Sequence, residues 1–322
     1  MTQPSTRTLH VNGVELSLTE AGEGPLVILA HGFPELGYSW RHQIPALAAA
    51  GYRVIAPDQR GYGRSSRPDA IEDYDIAHLT GDLLGIVDDA GEERAVFVGH
   101  DWGSLVVWQL ALLAPERVAG VVGMSVPFIP RAPVPPTQLF KQIFADGFFY
   151  ILYFQEPGVA EAEFESNPAR TMRRLLAGAI VREGELPDPA NFANDGRGFV
   201  ERMPEPEKLP DWLSQAELDH YVEEFSRTGF RGGVNWYRNM DRNWELTEAV
   251  ADNKVQMPSL FIGGKLDPVL VMTPPTMGEE WLSDHRGTVI VDGAGHWVQQ
   301  EKPEEVNAAL IGFLDDVCRD KG

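Results

Sequence analysis

A single cysteine, Cys318, stands in a chain of 322 residues. No disulfide can form within the chain, and no metal centre built on clustered thiolates is available. That scarcity fits a reducing cytoplasm. Positive charge is also scarce: 27 Lys and Arg stand against 48 Asp and Glu, giving a formal net charge of −21. Nucleic acids and anionic membranes are recognised through clustered Lys and Arg, so both are poor partners. The acidic excess reads as solubility, since runs of Glu and Asp are solvated faces. No apolar run approaches the roughly 18 residues of a membrane span. Residues 1–7 (MTQPSTR) lack the apolar stretch of a secretory signal, so none is expected. No internal repeat is present.

Hydrophobic residues make up 43% of the chain, enough for a large core. Short apolar runs at 26–30, 52–56, 95–98 and 118–122 alternate with helical patterns at 40–50, 76–90 and 104–114. Continuous apolar strands suit a parallel sheet covered on both faces, and the alternation predicts a doubly wound α/β domain. The rhythm breaks after Phe128. Residues 130–136 (PRAPVPP) read as a linker, and the chain to about 250 is rich in aromatics, Glu and Pro with helical periods. Strand patterns return at 259–262 and 288–291, and an amphipathic helix runs from about 303 to 317. The expected organisation is a core of 1–128 and 251–322, interrupted by a helical cap over 129–250. Clefts between such units are where small-molecule pockets form.

The third strand runs into Gly99-His100-Asp101-Trp102-Gly103 and then a helix. Small residues flanking a single chemical group suit a sharp strand-to-helix turn that presents a nucleophile. The group here is a carboxylate, and no G-x-S-x-G occurs, so serine esterase chemistry is not expected. A carboxylate is ionised at neutral pH and can attack saturated carbon directly, leaving an alkyl ester on the enzyme. An aspartate in such a turn can equally be a helix N-cap. His296, in Gly295-His296-Trp297 after the last strand, is the candidate base, although loop histidines are often structural. Asp267, in Gly264-Lys265-Leu266-Asp267-Pro268 after the preceding strand, is the candidate acid, although it also suits a turn before proline. The backbone N–H groups of Phe33 (in His31-Gly32-Phe33-Pro34) and Trp102 are the candidate oxyanion hole. Nucleophile, acid and histidine follow in the order of α/β hydrolases.

With these residues assembled, the chain resembles the α/β-hydrolase-fold epoxide hydrolases of the soluble type over nearly its whole length. Asp58-Gln59-Arg60-Gly61-Tyr62-Gly63 adds to the motifs already named. The most specific stretches are Tyr153-Phe154-Gln155-Glu156-Pro157-Gly158 and Asn235-Trp236-Tyr237-Arg238-Asn239. The resemblance implies two cap tyrosines that hydrogen-bond the epoxide oxygen. The second maps onto Tyr237. The first maps onto Tyr150, with Tyr153 the alternative, since both fall on one helix face. It further implies a mostly parallel sheet flanked by helices with an inserted helical lid, a small apolar epoxide as substrate, and no metal or other cofactor. Trp236, Trp297, Phe154 and Tyr153 are expected to line the pocket. A phosphatase-like N-terminal domain found in some animal relatives is not expected. Monomer and homodimer both remain open, as do detoxification and other roles.

Two other functions fit part of this pattern. A haloalkane dehalogenase shares the Asp nucleophile and the following Trp, but its halide needs side-chain N–H donors, and Phe33 supplies none. A non-catalytic relative would bind a small ligand without turnover, since fold does not fix function.

Overall fold

The computed structural model describes residues 3–178 and 189–319. Its centre is an eight-stranded sheet in the order β1-β2-β4-β3-β5-β6-β7-β8. The strands are β1 (Ser5–Val11), β2 (Val14–Ala21), β3 (Leu26–Ala30), β4 (Arg53–Asp58), β5 (Ala95–His100), β6 (Val118–Met124), β7 (Val255–Gly264) and β8 (Leu282–Val291). β3 to β8 run parallel, and only the contacts of β2 with β1 and β4 are antiparallel. β3 and β5 expose nothing along their length, which is why they read as unbroken apolar runs.

β1 and β2, which form a hairpin, were not expected from the apolar pattern. Val11 pairs with Val14 across Asn12 and Gly13, both at positive φ. That pair of residues is the favoured two-residue turn, because its twist matches that of the strands. β8 begins six residues before the apolar run expected there. Its first half, Leu282-Ser283-Asp284-His285-Arg286-Gly287, is a polar strand at the sheet edge and carries no apolar signal.

Helices α1 (Gln43–Ala49), α2 (Ile76–Asp89) and α3 (Trp102–Leu113) join the first strands. Seven more lie between β6 and β7: α4 (Pro136–Phe144), α5 (Tyr150–Tyr153), α6 (Val159–Ser166), α7 (Pro168–Ala177), α8 (Gln215–Thr228), α9 (Arg231–Arg238) and α10 (Met240–Leu246). This inserted set is the lid. α11 (Val269–Met272), α12 (Val298–Glu301) and α13 (Pro303–Arg319) follow β7 and β8. One apolar cluster joins α2, α3 and the inserted helices on one face of the sheet, and another joins α1 and α13 on the other. The parallel register aligns Ala30 with Gly99, His100 with Met124, and Gly264 with Val291. The loops that carry Phe33, Asp101, Asp267 and His296 therefore leave the sheet along one edge, where α/β folds place their ligands. Among the described residues no helix is long and apolar enough to cross a membrane.

Candidate active site

Asp101 sits between β5 and α3 at φ +52°, a left-handed conformation that costs a non-glycine residue about 1–3 kcal/mol. Its N–H donates to Met124 O at 3.1 Å and its carbonyl accepts from Ser104 N–H at 3.0 Å, which fixes the turn. The side chain does not cap α3. It points instead toward the β3 loop, where the Phe33 N–H donates to Oδ1 at 2.8 Å. The turn is possible only because its neighbours lack side chains. A Cβ on Gly103 would stand 2.0 Å from Ala30 O, and one on Gly32 would stand 2.4 Å from the Asp101 carboxylate. The Trp102 N–H is the first of α3 and has no intrahelical acceptor, so it adds a second donor at the positive end of the helix.

The other carboxylate oxygen, Oδ2, is 3.6 Å from His296 Nε2. His296 Nδ1 lies 3.1 Å from both oxygens of Asp267. Asp267 is buried and also accepts the Val269 N–H at 2.9 Å. Burial alone would depress the imidazole. Asp267 first and then Asp101 overcome it and hold His296 well above its ordinary range. The ring is thus a cation shared by two carboxylates, one of them the candidate nucleophile.

Four further groups hold this arrangement and were not singled out in the sequence. Glu301 accepts the N–H groups of Gly295 and Trp297 at 2.7 and 2.9 Å, clasping the backbone on either side of His296. The His296 carbonyl accepts from Ser125 Oγ at 2.8 Å and lies 2.7 Å from His100 Nε2. His100 Nδ1 is 2.6 Å from Glu35, which also accepts the Gly32 N–H and the amides of Gln299 and Gln300. Burial alone would raise the Glu35 carboxyl, but His100 and then His31 pull it down to about 2. Glu35, His100 and Ser125 are buried polar side chains contacting loops far off in sequence, so local pattern carries no trace of them. The exception is Glu301, which lies four residues after Trp297 and is therefore a local sign in the sequence.

Tyr237 packs edge-on against the rings of Trp102 and Phe33, at centroid distances of 5.0 and 5.5 Å. Tyr150 stands 5.9 Å from Tyr237. Burial, and then the negative charge of Asp101, push both phenols up, so both stay protonated across the neutral range. Tyr153 points elsewhere. Its hydroxyl donates to Glu163 at 3.1 Å and its ring meets Phe148. One helical turn of only four residues cannot put both tyrosines on the same target, because each is fixed by different neighbours. Phe154 and Trp236, expected in the pocket lining, expose no surface and stand one layer back. Phe154 supports Tyr150, Tyr237 and Phe33, and Trp236 supports Trp102 while donating to Arg60 O at 3.2 Å. Their bulk and apolar character suggest a wall, but the inner positions are taken by Tyr237 and Trp102. Trp297 lies edge-on to His296, with centroids 4.7 Å apart.

A carboxylate on a strand-to-helix turn, an imidazole backed by a buried carboxylate and backbone N–H donors beside them are the arrangement of an α/β-type hydrolase. The comparisons agree. The family model for the alpha/beta hydrolase fold matches residues 25–303. Epoxide hydrolase A of Mycobacterium tuberculosis is 58% identical over 98% of each chain. The bifunctional epoxide hydrolase 2 of Sus scrofa is 41% identical over 95% of this chain, which spans about half (54%) of that longer protein. The crystal structure of epoxide hydrolase A from Mycobacterium thermoresistibile superposes with a TM-score of 0.93 at 59% identity, covering 97% of this chain and 98% of that one. Potato (Solanum tuberosum) epoxide hydrolase I gives 0.87 at 35% identity, with coverage of 98% and 100%. The chain belongs to the alpha/beta hydrolase fold family and, within it, to the epoxide hydrolases.

Proposed function

We infer that this enzyme opens small apolar epoxides to vicinal diols through a covalent ester on Asp101. The observation that carries the reading is the division of labour on that carboxylate: Oδ1 is held by the Phe33 N–H and Oδ2 faces His296. Oδ2 attacks an epoxide carbon. The departing alkoxide is a poor leaving group, and Tyr150 and Tyr237 donate hydrogen bonds and a proton to it. Oδ1 becomes the ester carbonyl, already seated on the Phe33 N–H that supports it when it turns into an oxyanion.

The second step depends on charge. In the free enzyme two carboxylates keep His296 protonated. Ester formation neutralises Asp101 and removes one of them. The imidazole pKa then falls, its proton is lost through solvent as the phenol that protonated the alkoxide is restored, and neutral His296, oriented by Asp267, becomes the base that activates water toward the ester carbonyl. Aromatic side chains crowd the reacting atoms, and His296 is the one cationic group in contact with Asp101 among the described residues. A neutral, apolar substrate fits such surroundings. The cap is taken as 129–250, the insertion between β6 and β7, with 1–128 and 251–322 as the core. The lone cysteine fits a cytoplasmic enzyme.

The test is trapping. His296→Gln mixed with styrene oxide is expected to accumulate a substrate adduct on the peptide that contains Asp101, seen by mass spectrometry. Wild-type turnover by that variant, or an adduct on another residue, would remove the mechanism.

A further inference from the structure

The two phenols sit on different short helices, and α5, with four residues, is too short to hold its own position. Two side chains tie α5 to α9. The Gln155 amide donates to Ile151 O at 2.9 Å, closing α5, and to the carbonyl of Tyr237 itself at 3.0 Å. In return Arg238, next to Tyr237, donates to Phe154 O at 3.0 Å and Glu156 O at 3.2 Å, just past the end of α5. Arg238 is fixed in turn by Glu161, at 2.6 and 2.9 Å, and by Asn235 Oδ1 at 2.8 Å. Gln155 and Arg238 thus cross-brace the backbones that carry the two phenols, whose rings stand 5.9 Å apart. Of the pair, Gln155 alone reaches the backbone of a tyrosine.

We propose that Gln155 is a positioning residue for ring opening, setting the separation of the Tyr150 and Tyr237 hydroxyls so that both reach one epoxide oxygen. The proposal rests on the reading of these tyrosines as the proton donors. It assigns Gln155 to the first chemical step only. Ester hydrolysis uses Asp267, His296 and the N–H donors of the core, none of which Gln155 touches.

The test separates the two steps by rapid-quench single turnover with styrene oxide. In Gln155→Leu the alkylation rate is expected to fall by about tenfold or more, because small displacements of donors are costly. The hydrolysis rate of the ester should stay at the wild-type value. Gln155→Glu supplies a second readout. Its ionised carboxylate faces two carbonyl oxygens, whereas its protonated form donates to one of them. Its alkylation rate should therefore rise relative to wild type as pH falls through the titration of that carboxyl. Unchanged alkylation in Gln155→Leu, or alkylation and hydrolysis falling together in step with thermal stability, would overturn the proposal. So would a Gln155→Glu alkylation rate that keeps a constant ratio to wild type across pH. Tyr237→Phe and Tyr150→Phe run alongside. If they leave alkylation intact, the tyrosine reading itself fails; if they slow it while the Gln155 variants do not, only the positioning role falls.

Discussion

Replacing Asp101 by Asn reproduces the charge, though not the bond, of the ester intermediate, and it should lower the pKa of His296. The magnitude follows from the geometry. A unit negative charge 3.6 Å from the imidazole, at an effective dielectric near 20, is worth roughly 4–5 kcal/mol. Half of that charge rests on Oδ1, farther away and neutralised in part by the Phe33 N–H, so the fall is smaller than the full interaction but its direction is downward. Asn matches Asp in size and keeps an oxygen for the Phe33 donor. The assay is nitrogen-15 NMR of the imidazoles across pH, with mass spectrometry confirming the amide at 101 throughout. The chain has eight histidines, so the signal is assigned by its absence from His296→Gln. The direction is fixed: His296 is held up in the free enzyme, and removing a negative neighbour brings its midpoint down. An unchanged midpoint in Asp101→Asn would refute the idea that ester formation releases the base.

Other consequences are sharper in one readout each. Tyr237→Phe should slow alkylation by about a hundredfold while an ester already formed hydrolyses normally, measured by stopped-flow. Glu35→Gln should destabilise the fold. The carboxyl has a depressed pKa, so its contribution, roughly 3 kcal/mol, is present above the ordinary carboxylate range and is lost as pH falls toward about 2. Urea titrations at several pH values should show the variant and wild type converging in acid. Gly103→Ala drives a methyl group to within 2.0 Å of Ala30 O, so loss of soluble protein or a drop of several kcal/mol is expected. A 1-chloroalkane should release no chloride, because Phe33 offers no side-chain donor to a halide; steady chloride release would favour dehalogenase chemistry.

Much of the central sheet could be read in advance because its strands are buried on both faces, and an unbroken apolar run such as 26–30 has few other meanings. β1 and the first half of β8 lie at the sheet edges, where polar residues guard the open backbone and erase the signal. The candidate groups Asp101, Asp267 and His296 were legible because each follows a strand end, and parallel topology brings strand ends to one side. Burial depth was not. Phe154 and Trp236 have the composition of a pocket wall, yet packing against Tyr237 and Trp102 leaves them no exposed surface. Tyr150 and Tyr153 are equivalent by spacing and are separated by Glu163, ten residues beyond Tyr153 and one helix away. Glu35, His100 and Ser125 act through contacts with distant loops and leave no local pattern.

The central claim is that a bond forms between Asp101 and the substrate. It is tested most directly by one turnover in oxygen-18 water with enzyme in excess. The mechanism predicts unlabelled diol, because its new oxygen comes from the Asp101 carboxylate, and heavy oxygen in the peptide that carries Asp101. Labelled diol with an unlabelled peptide would contradict it and place water, not aspartate, on the epoxide carbon.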